Sequence, residues 1–405
     1  MTEQHPRILF LGTHGQRNIG DELLLETFLR QLGRENRYVV NTYDKAFTGA
    51  QLAGRYDAEL IDTAGDRVRL LRELLRCDLL VFGGGSIIKE LYASTGRHRF
   101  STLAMILAVV TVAHLVVRKP IAMLNVGVGP IRTPGGRRLA RLILTQVDLL
   151  VVRDAKSHAT CRAIGLAPDR VRLSADAVFS NDAAWLLDGA PLPPAPAPLD
   201  GRPLHVALNL NFHIENPDNW ELFLDRLAEG LRRFHRLRPV ELHALPMQAG
   251  FKADDDAEIL TAFAERLPGV TVHQHRPTTH VEVARLVAGC DLLVSERLHA
   301  IVIASVLGVP SLVLAYDVKV LELAAMLDLE PSTIDINAPF EAGDVVERLE
   351  DLASSLADGR RSLLGRSDSL RAEARASFDL ARTWIARRGA RPAAAEAPVV
   401  ATLSR

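Results

Sequence analysis

Cysteine is scarce, with three residues in 405, at positions 77, 161 and 290. The number is odd, the spacing is wide and no Cys-x-x-Cys pair occurs, which speaks against a disulfide framework or a structural zinc site, and no metal is expected. Cys77 and Cys290 each precede an apolar run and read as buried thiols in a reducing compartment. Aromatic residues make up 5% of the chain, too few for binding dominated by stacking on bases or sugars. Neither sign of charge is in excess: 48 Lys and Arg face 49 Asp and Glu, a net charge of −1. A nucleic-acid binder carries a basic surplus, so nucleic acid is not an expected partner.

Long apolar runs are also few. Residues 100–117 carry no formal charge and lie between Arg99 and Arg118, which reaches the lower length limit for a membrane span. Ser101, Thr102, Thr111 and His114 interrupt the run. A buried or interfacial helix is expected, with membrane contact as the alternative. A polar hexapeptide leads straight into the first strand, with no signal-peptide pattern. A cytoplasmic place is therefore expected, with peripheral contact at the inner face of the membrane as the second option.

The length suits two α/β domains. Strands are predicted at 7–11, 38–42, 78–82, 121–126, 149–152, 205–210, 240–244, 270–273, 292–295 and 311–315, alternating with helical patterns. Their apolar runs fit parallel strands covered on both faces. Residues 187–203 contain six prolines and read as a linker. The expected division is a Rossmann-like domain over 1–186, the linker 187–203, a second Rossmann-like domain over 204–388 and a disordered tail over 389–405. A helix near 367–385 is expected to brace the first domain.

In open parallel sheets, ligands bind beyond the carboxyl ends of the strands. The string DLLV occurs three times, from Asp78, Asp148 and Asp291, and each copy runs into polar or glycine-rich residues. The loop 12–22, GTHGQRNIGDE, joins the first strand to a helix whose N-terminus suits an anion; His14, Asn18 and Asp21 lie on it, and Asp21 is equally readable as serving the helix start. Gly83, Gly84, Gly85 and Ser86 offer a row of backbone amides, a nest for phosphate or carboxylate. Gly127–Val128–Gly129–Pro130 is read as structural, with backbone lining the cleft. Arg153 beside Asp154 can bind phosphate or form an internal ion pair, and Asp176 reads as a hinge anchor. In the second half, Arg297 and His299 sit where a strand gives way to an apolar helix, and Lys319 ends the next strand. A histidine two residues from an arginine at a sheet edge points to anion binding and proton exchange. The acidic run at 254–256 reads as a helix start, with metal binding as the minor alternative.

Taken in order, NIGDE, GGGS, GVGP, RD-x-x-S, SERLH and Y-x-x-K resemble the polysaccharide pyruvyl transferase family over about residues 7–329. The resemblance implies a fold like the two-domain GT-B glycosyltransferases, with two parallel sheets facing a cleft. It implies phosphoenolpyruvate as donor substrate, with no cofactor, and a cell-surface glycan or its lipid-linked precursor as acceptor, joined as a pyruvate ketal in exopolysaccharide biosynthesis. By this similarity Arg297 and His299 fall on the donor-binding positions, and the chemistry makes them the expected catalytic residues, His299 as general acid or phosphate anchor and Arg297 stabilising the leaving group. Arg153, Arg297, His299, Lys319, Gly84 and Gly85 would hold the donor, while Asn18, Asp21 and His14 would face the acceptor or the cleft. Two rival readings keep the same fold: a glycosyltransferase using a nucleotide sugar, and a non-enzymatic scaffold in glycan assembly.

Overall fold

The computed structural model describes residues 5–91, 97–194, 201–212, 219–251 and 255–389. The first sheet holds β1 (Arg7–Leu11), β2 (Arg37–Thr42), β3 (Ala58–Asp62), β4 (Leu79–Gly83), β5 (Ile121–Val126), β6 (Leu149–Val152) and β7 (Val171–Leu173), in the order β3-β2-β1-β4-β5-β6-β7. The second holds β8 (Leu204–Asn209), β9 (Val240–Ala244), β10 (Thr271–Gln274), β11 (Leu292–Ser295), β12 (Ser311–Ala315) and β13 (Thr333–Asp335), in the order β10-β9-β8-β11-β12-β13. Every pairing is parallel. Both sheets reverse direction beside their first strand, the doubly wound order that opens a crevice at the carboxyl ends.

The DLLV repeat has a structural use at the opposite edge. Asp78 accepts the backbone N–H of Arg7 at 2.9 Å, Asp148 that of Ile121 at 2.8 Å and Asp291 that of His205 at 2.9 Å. Each aspartate thus satisfies a backbone donor at the start of a neighbouring strand.

Two apolar layers cover the first sheet. One lies under the helices Arg67–Arg76, Ser101–Thr111 and Pro134–Leu144. The other is continuous with the core of the second domain. It contains the helix Ile19–Leu32, buried on nearly every side, and the helix Leu298–Leu307, apolar but for His299 and Ser305. A helix apolar all round belongs in an interior, and here that interior is the junction of the two halves.

The 34-residue helix Leu356–Gly389 ties the halves together. It begins on the second domain, where Gly308 packs against Arg360 and Leu364. It ends on the first, where Phe378 meets Phe28 edge-on at 5.5 Å and Gly389 abuts Pro6. Along the way Arg371 and Arg375 donate to the carbonyls of Asn181 and Ser180 at 3.2 and 3.0 Å. The terminal helix of the second half is therefore part of the first domain's core. Residues 100–117 form the helix Ser101–Thr111, continued by a wider turn over Val112–Val116. No described helix is long and apolar enough to cross a membrane. The expected tail from 390 onward lies outside the described residues, as do 195–200 of the proline-rich stretch.

Candidate active site

The carboxyl edges of both sheets face one cleft of about 1090 Å³. Gly12, Thr13, Asn18, Asp21, Gly85, Ser86, Lys89 and Arg153 line it from the first domain. Met247, Gln248, Arg297, His299, Tyr316 and Lys319 line it from the second. The two walls touch directly. Ile19 donates its backbone N–H to the Met247 carbonyl at 2.8 Å, and Gln248 donates its side-chain amide to the Gln16 carbonyl at 3.0 Å.

Arg297 occupies the N-cap position of the helix Leu298–Leu307, where β11 has just ended. Its Nε donates to Asp256 Oδ2 at 3.0 Å, a second nitrogen reaches the other oxygen of the same carboxylate, and Gln248 accepts at 3.1 Å. Asp256 is wholly buried and also accepts from the backbone of Met247 at 3.0 Å. Burial opposes the charge on Arg297, but Asp256 outweighs it and holds the guanidinium cationic. Two residues on, the His299 ring lies against the first domain: a Cβ on Gly20 would stand 2.3 Å from its Nδ1. Only glycine lets the helix Ile19–Leu32 start so close to that ring. Burial pushes the His299 imidazole down to about 4, and Arg153, Lys319 and Arg297 add to that while Asp176 opposes it. Its Nε2 has no hydrogen-bond partner among the described residues.

Asn18 caps the helix Ile19–Leu32, accepting the Gly20 N–H at 3.0 Å. Asp21 therefore does not serve the cap and is left to the cleft. Burial raises its carboxyl to about 6, against the pull of Arg297, Lys319, Arg153 and Lys89. Those four cations, from two domains, all favour the charge of one carboxyl. Arg153 is nearly enclosed: it reaches Ser86 Oγ at 3.0 Å and Asp176 at 3.4 Å, with Asp154 at 3.6 Å. Arg153 thus lines the cleft while held by internal ion pairs. Lys319 lies 4.9 Å from the Tyr316 ring centre. Burial lowers both Lys319 and Lys89 to about 8; Lys319 further depresses Lys89, while Arg153 and Arg297 further depress Lys319.

Other expected residues fall elsewhere. His14 is buried beneath its loop, stacked on Phe10 at 5.8 Å, and does not line the cleft, because Gly12 and Phe10 leave room for the ring inside. Gly84 also turns inward: its N–H donates to the Leu124 carbonyl at 2.9 Å and its α-carbon faces Leu24 and Phe28. Its amide is thus spent on the sheet, and Gly85 and Ser86 carry that loop's share of the cleft wall. Gly127–Pro130 props the same loop from behind, with Gly127 N–H bonded to the Gly85 carbonyl at 2.8 Å, rather than lining the cleft. Asp255, not a metal-binding cluster, caps the helix Asp256–Ala264; Lys252 and Asp254 lie outside the described residues. Among the described residues no group of three or more His, Cys, Asp or Glu is arranged to hold a metal ion.

The family model for polysaccharide pyruvyl transferases matches residues 18–318, from the Asn18 cap to the start of the Lys319 helix. The chain belongs to this family. Solved structures show the GT-B arrangement. Anabaena HepE in complex with UDP superposes with a TM-score of 0.62 at 14% identity, covering 94% of this chain and 100% of that one. The UDP-GlcNAc 2-epimerase of Neisseria meningitidis bound to UDP-GlcNAc gives 0.57 at 12% identity, covering 94% and 100%. No curated protein matches significantly.

In this pyruvyl transferase family member, three site residues escape a reading of the sequence. Lys89 follows the GGGS loop by three positions and looks like a solvated lysine. Asp256 sits in an acidic helix start, which hides its ion pair with a residue 41 positions away. Gln248 carries no charge and no motif. The one available signal is that Lys89 stands one turn beyond a strand-end glycine loop.

Proposed function

We propose that the chain transfers the pyruvyl group of phosphoenolpyruvate to two hydroxyls of a glycan acceptor, forming a ketal and releasing phosphate. The observation that supports it is that Arg297, Arg153, Lys319 and Lys89 line one cleft between two domains together with a single protonatable carboxyl, Asp21, whose charge they favour. Phosphoenolpyruvate carries a phosphate and a carboxylate on one small frame, and several fixed cations meet both. One sugar proton ends on the enol methylene, which becomes a methyl group. The other leaves with phosphate; the C=C π bond and the C–O bond to the phosphate break, and two C–O bonds to the sugar and one C–H bond form.

Asp21 at about 6 and His299 at about 4 divide the proton work. An arriving anion raises both values, which keeps Asp21 protonated for the methylene carbon. His299 presents a neutral nitrogen to a sugar hydroxyl, and Arg297 with Lys319 stabilises the departing phosphate. The scheme uses no metal or cofactor. The test is incubation with phosphoenolpyruvate and a panel of glycosides, following phosphate release and a pyruvyl mass gain. Asp21→Asn should abolish turnover while donor binding persists; unchanged turnover removes Asp21 from the chemistry.

A second reading, a nucleotide-sugar transferase, draws on the cleft volume, which exceeds what phosphoenolpyruvate alone requires, and on the UDP complexes among the structural neighbours. Thermal stabilisation by UDP but not by phosphoenolpyruvate would favour it.

A further inference from the structure

The cleft does not end at the cations. The same cavity continues as a groove between the helices Arg67–Arg76 and Ser101–Thr111, lined by Ile61, Leu70, Phe82, Met105, Ile106 and Val109. It opens where Met105 is 55% exposed. The helices that form this groove, and the one packed beside them, present exposed apolar side chains on their outer side. Val68, Leu71 and Leu75 form an exposed stripe on one helix, Leu115 and Val116 extend it on the next, and Leu142 on the helix Pro134–Leu144 adds to it.

The charge on this face is one-sided. The four helices packed on it span residues 67–76, 101–116, 134–144 and 155–163, and they carry nine Lys and Arg against one acid, Glu73. Glu73 is buried and paired with Arg7. The whole chain is balanced at −1, so the asymmetry belongs to this surface. Arg67, Arg72, Arg76, Arg118, Arg137, Arg138 and Arg141 are all exposed here.

We propose that this face seats in the plane of an anionic lipid bilayer, with the apolar groove opening onto it. Apolar side chains interspersed with arginines, on helices too short to span, describe an interfacial contact rather than an insertion. Arginine stems lie along the apolar layer while their heads reach phosphate. A folded protein partner would call for an apolar patch with its charges at the rim, whereas here exposed arginines alternate with the apolar side chains along the same helices. The groove then connects the bilayer to the anion pocket, a route for a substrate carrying an alkyl chain. The surface lies outside the group of cleft cations, and the proposal stands whichever reaction the cleft performs.

Flotation of the full chain with vesicles tests it without any turnover assay. The chain should float with phosphatidylcholine vesicles containing phosphatidylglycerol, much less with phosphatidylcholine alone, and less as salt rises. Replacing Arg72 or Arg76 by Gln should weaken binding about fivefold each. The combination Leu71→Glu, Leu115→Glu and Val116→Glu should abolish flotation with an unchanged melting temperature, since all three are exposed. Leu237→Glu, an exposed leucine of the second domain, should float like the wild type. Failure of the wild-type chain to float at low salt overturns the proposal. So does undiminished flotation of the triple variant, or a dimer that the triple variant dissolves in the absence of vesicle binding.

Discussion

At the scale of single residues, Arg297 and Asp256 form a buried pair, so removing Arg297 has two separable effects. Arg297→Met should lose donor binding and also destabilise the fold by about 3–5 kcal/mol, because Asp256 is left buried without its partner. Adding Asp256→Leu should restore most of the melting temperature and none of the donor binding; recovery of binding would show that the guanidinium serves only the fold. The two lysines at about 8 are read through pH. A lysine is charged below its pKa, so affinity for an anionic donor is present below about 8 and is lost as pH rises through it. With both lysines titrating, log kcat/KM should fall with a slope approaching two above that pH. Lys319→Arg should reduce the slope to about one while keeping the charge. An unaltered profile would remove Lys319 from donor capture.

At the scale of elements, the two halves meet where the start of one helix packs against one ring. Gly20→Ala would place a methyl group 2.3 Å from His299 Nδ1. The helix start cannot retreat, because Ile19 is bonded to Met247 across the cleft. Expected outcomes are a stability loss of about 1–3 kcal/mol and a larger fall in turnover than in donor affinity, measured by thermal melting and steady-state kinetics. This contact also shows where sequence reading works. The loop 12–22 is recognisable as running into a helix, although its cap is Asn18 rather than Asp21, and Arg297 and His299 as a strand exit, but nothing in the chain order says that the two meet. The central strands were legible because burial on both faces leaves continuous apolar runs. β3, β7 and β13 were not, since edge strands such as Ala58–Asp62 are half exposed and read AELID, without run or alternation. His14 and Gly84 misled because loop position does not reveal whether a side chain or amide turns toward solvent or core.

At the scale of the whole molecule, the helix Leu356–Gly389 makes the two domains one mechanical body. Phe378→Ala should cost about 3–5 kcal/mol and lower hydrogen-exchange protection in the helix Ile19–Leu32, although the two lie far apart in sequence. Loss confined to the terminal helix would mean that it merely rests on the surface. The same arrangement bears on how the protein is made. A nascent chain that has already threaded both sheets out of the ribosome still lacks the cover for Phe28 and Pro6. The part synthesised first cannot finish closing until residues near 378 and 389 emerge, so in the interval an oily flank stays open to chaperones and to aggregation.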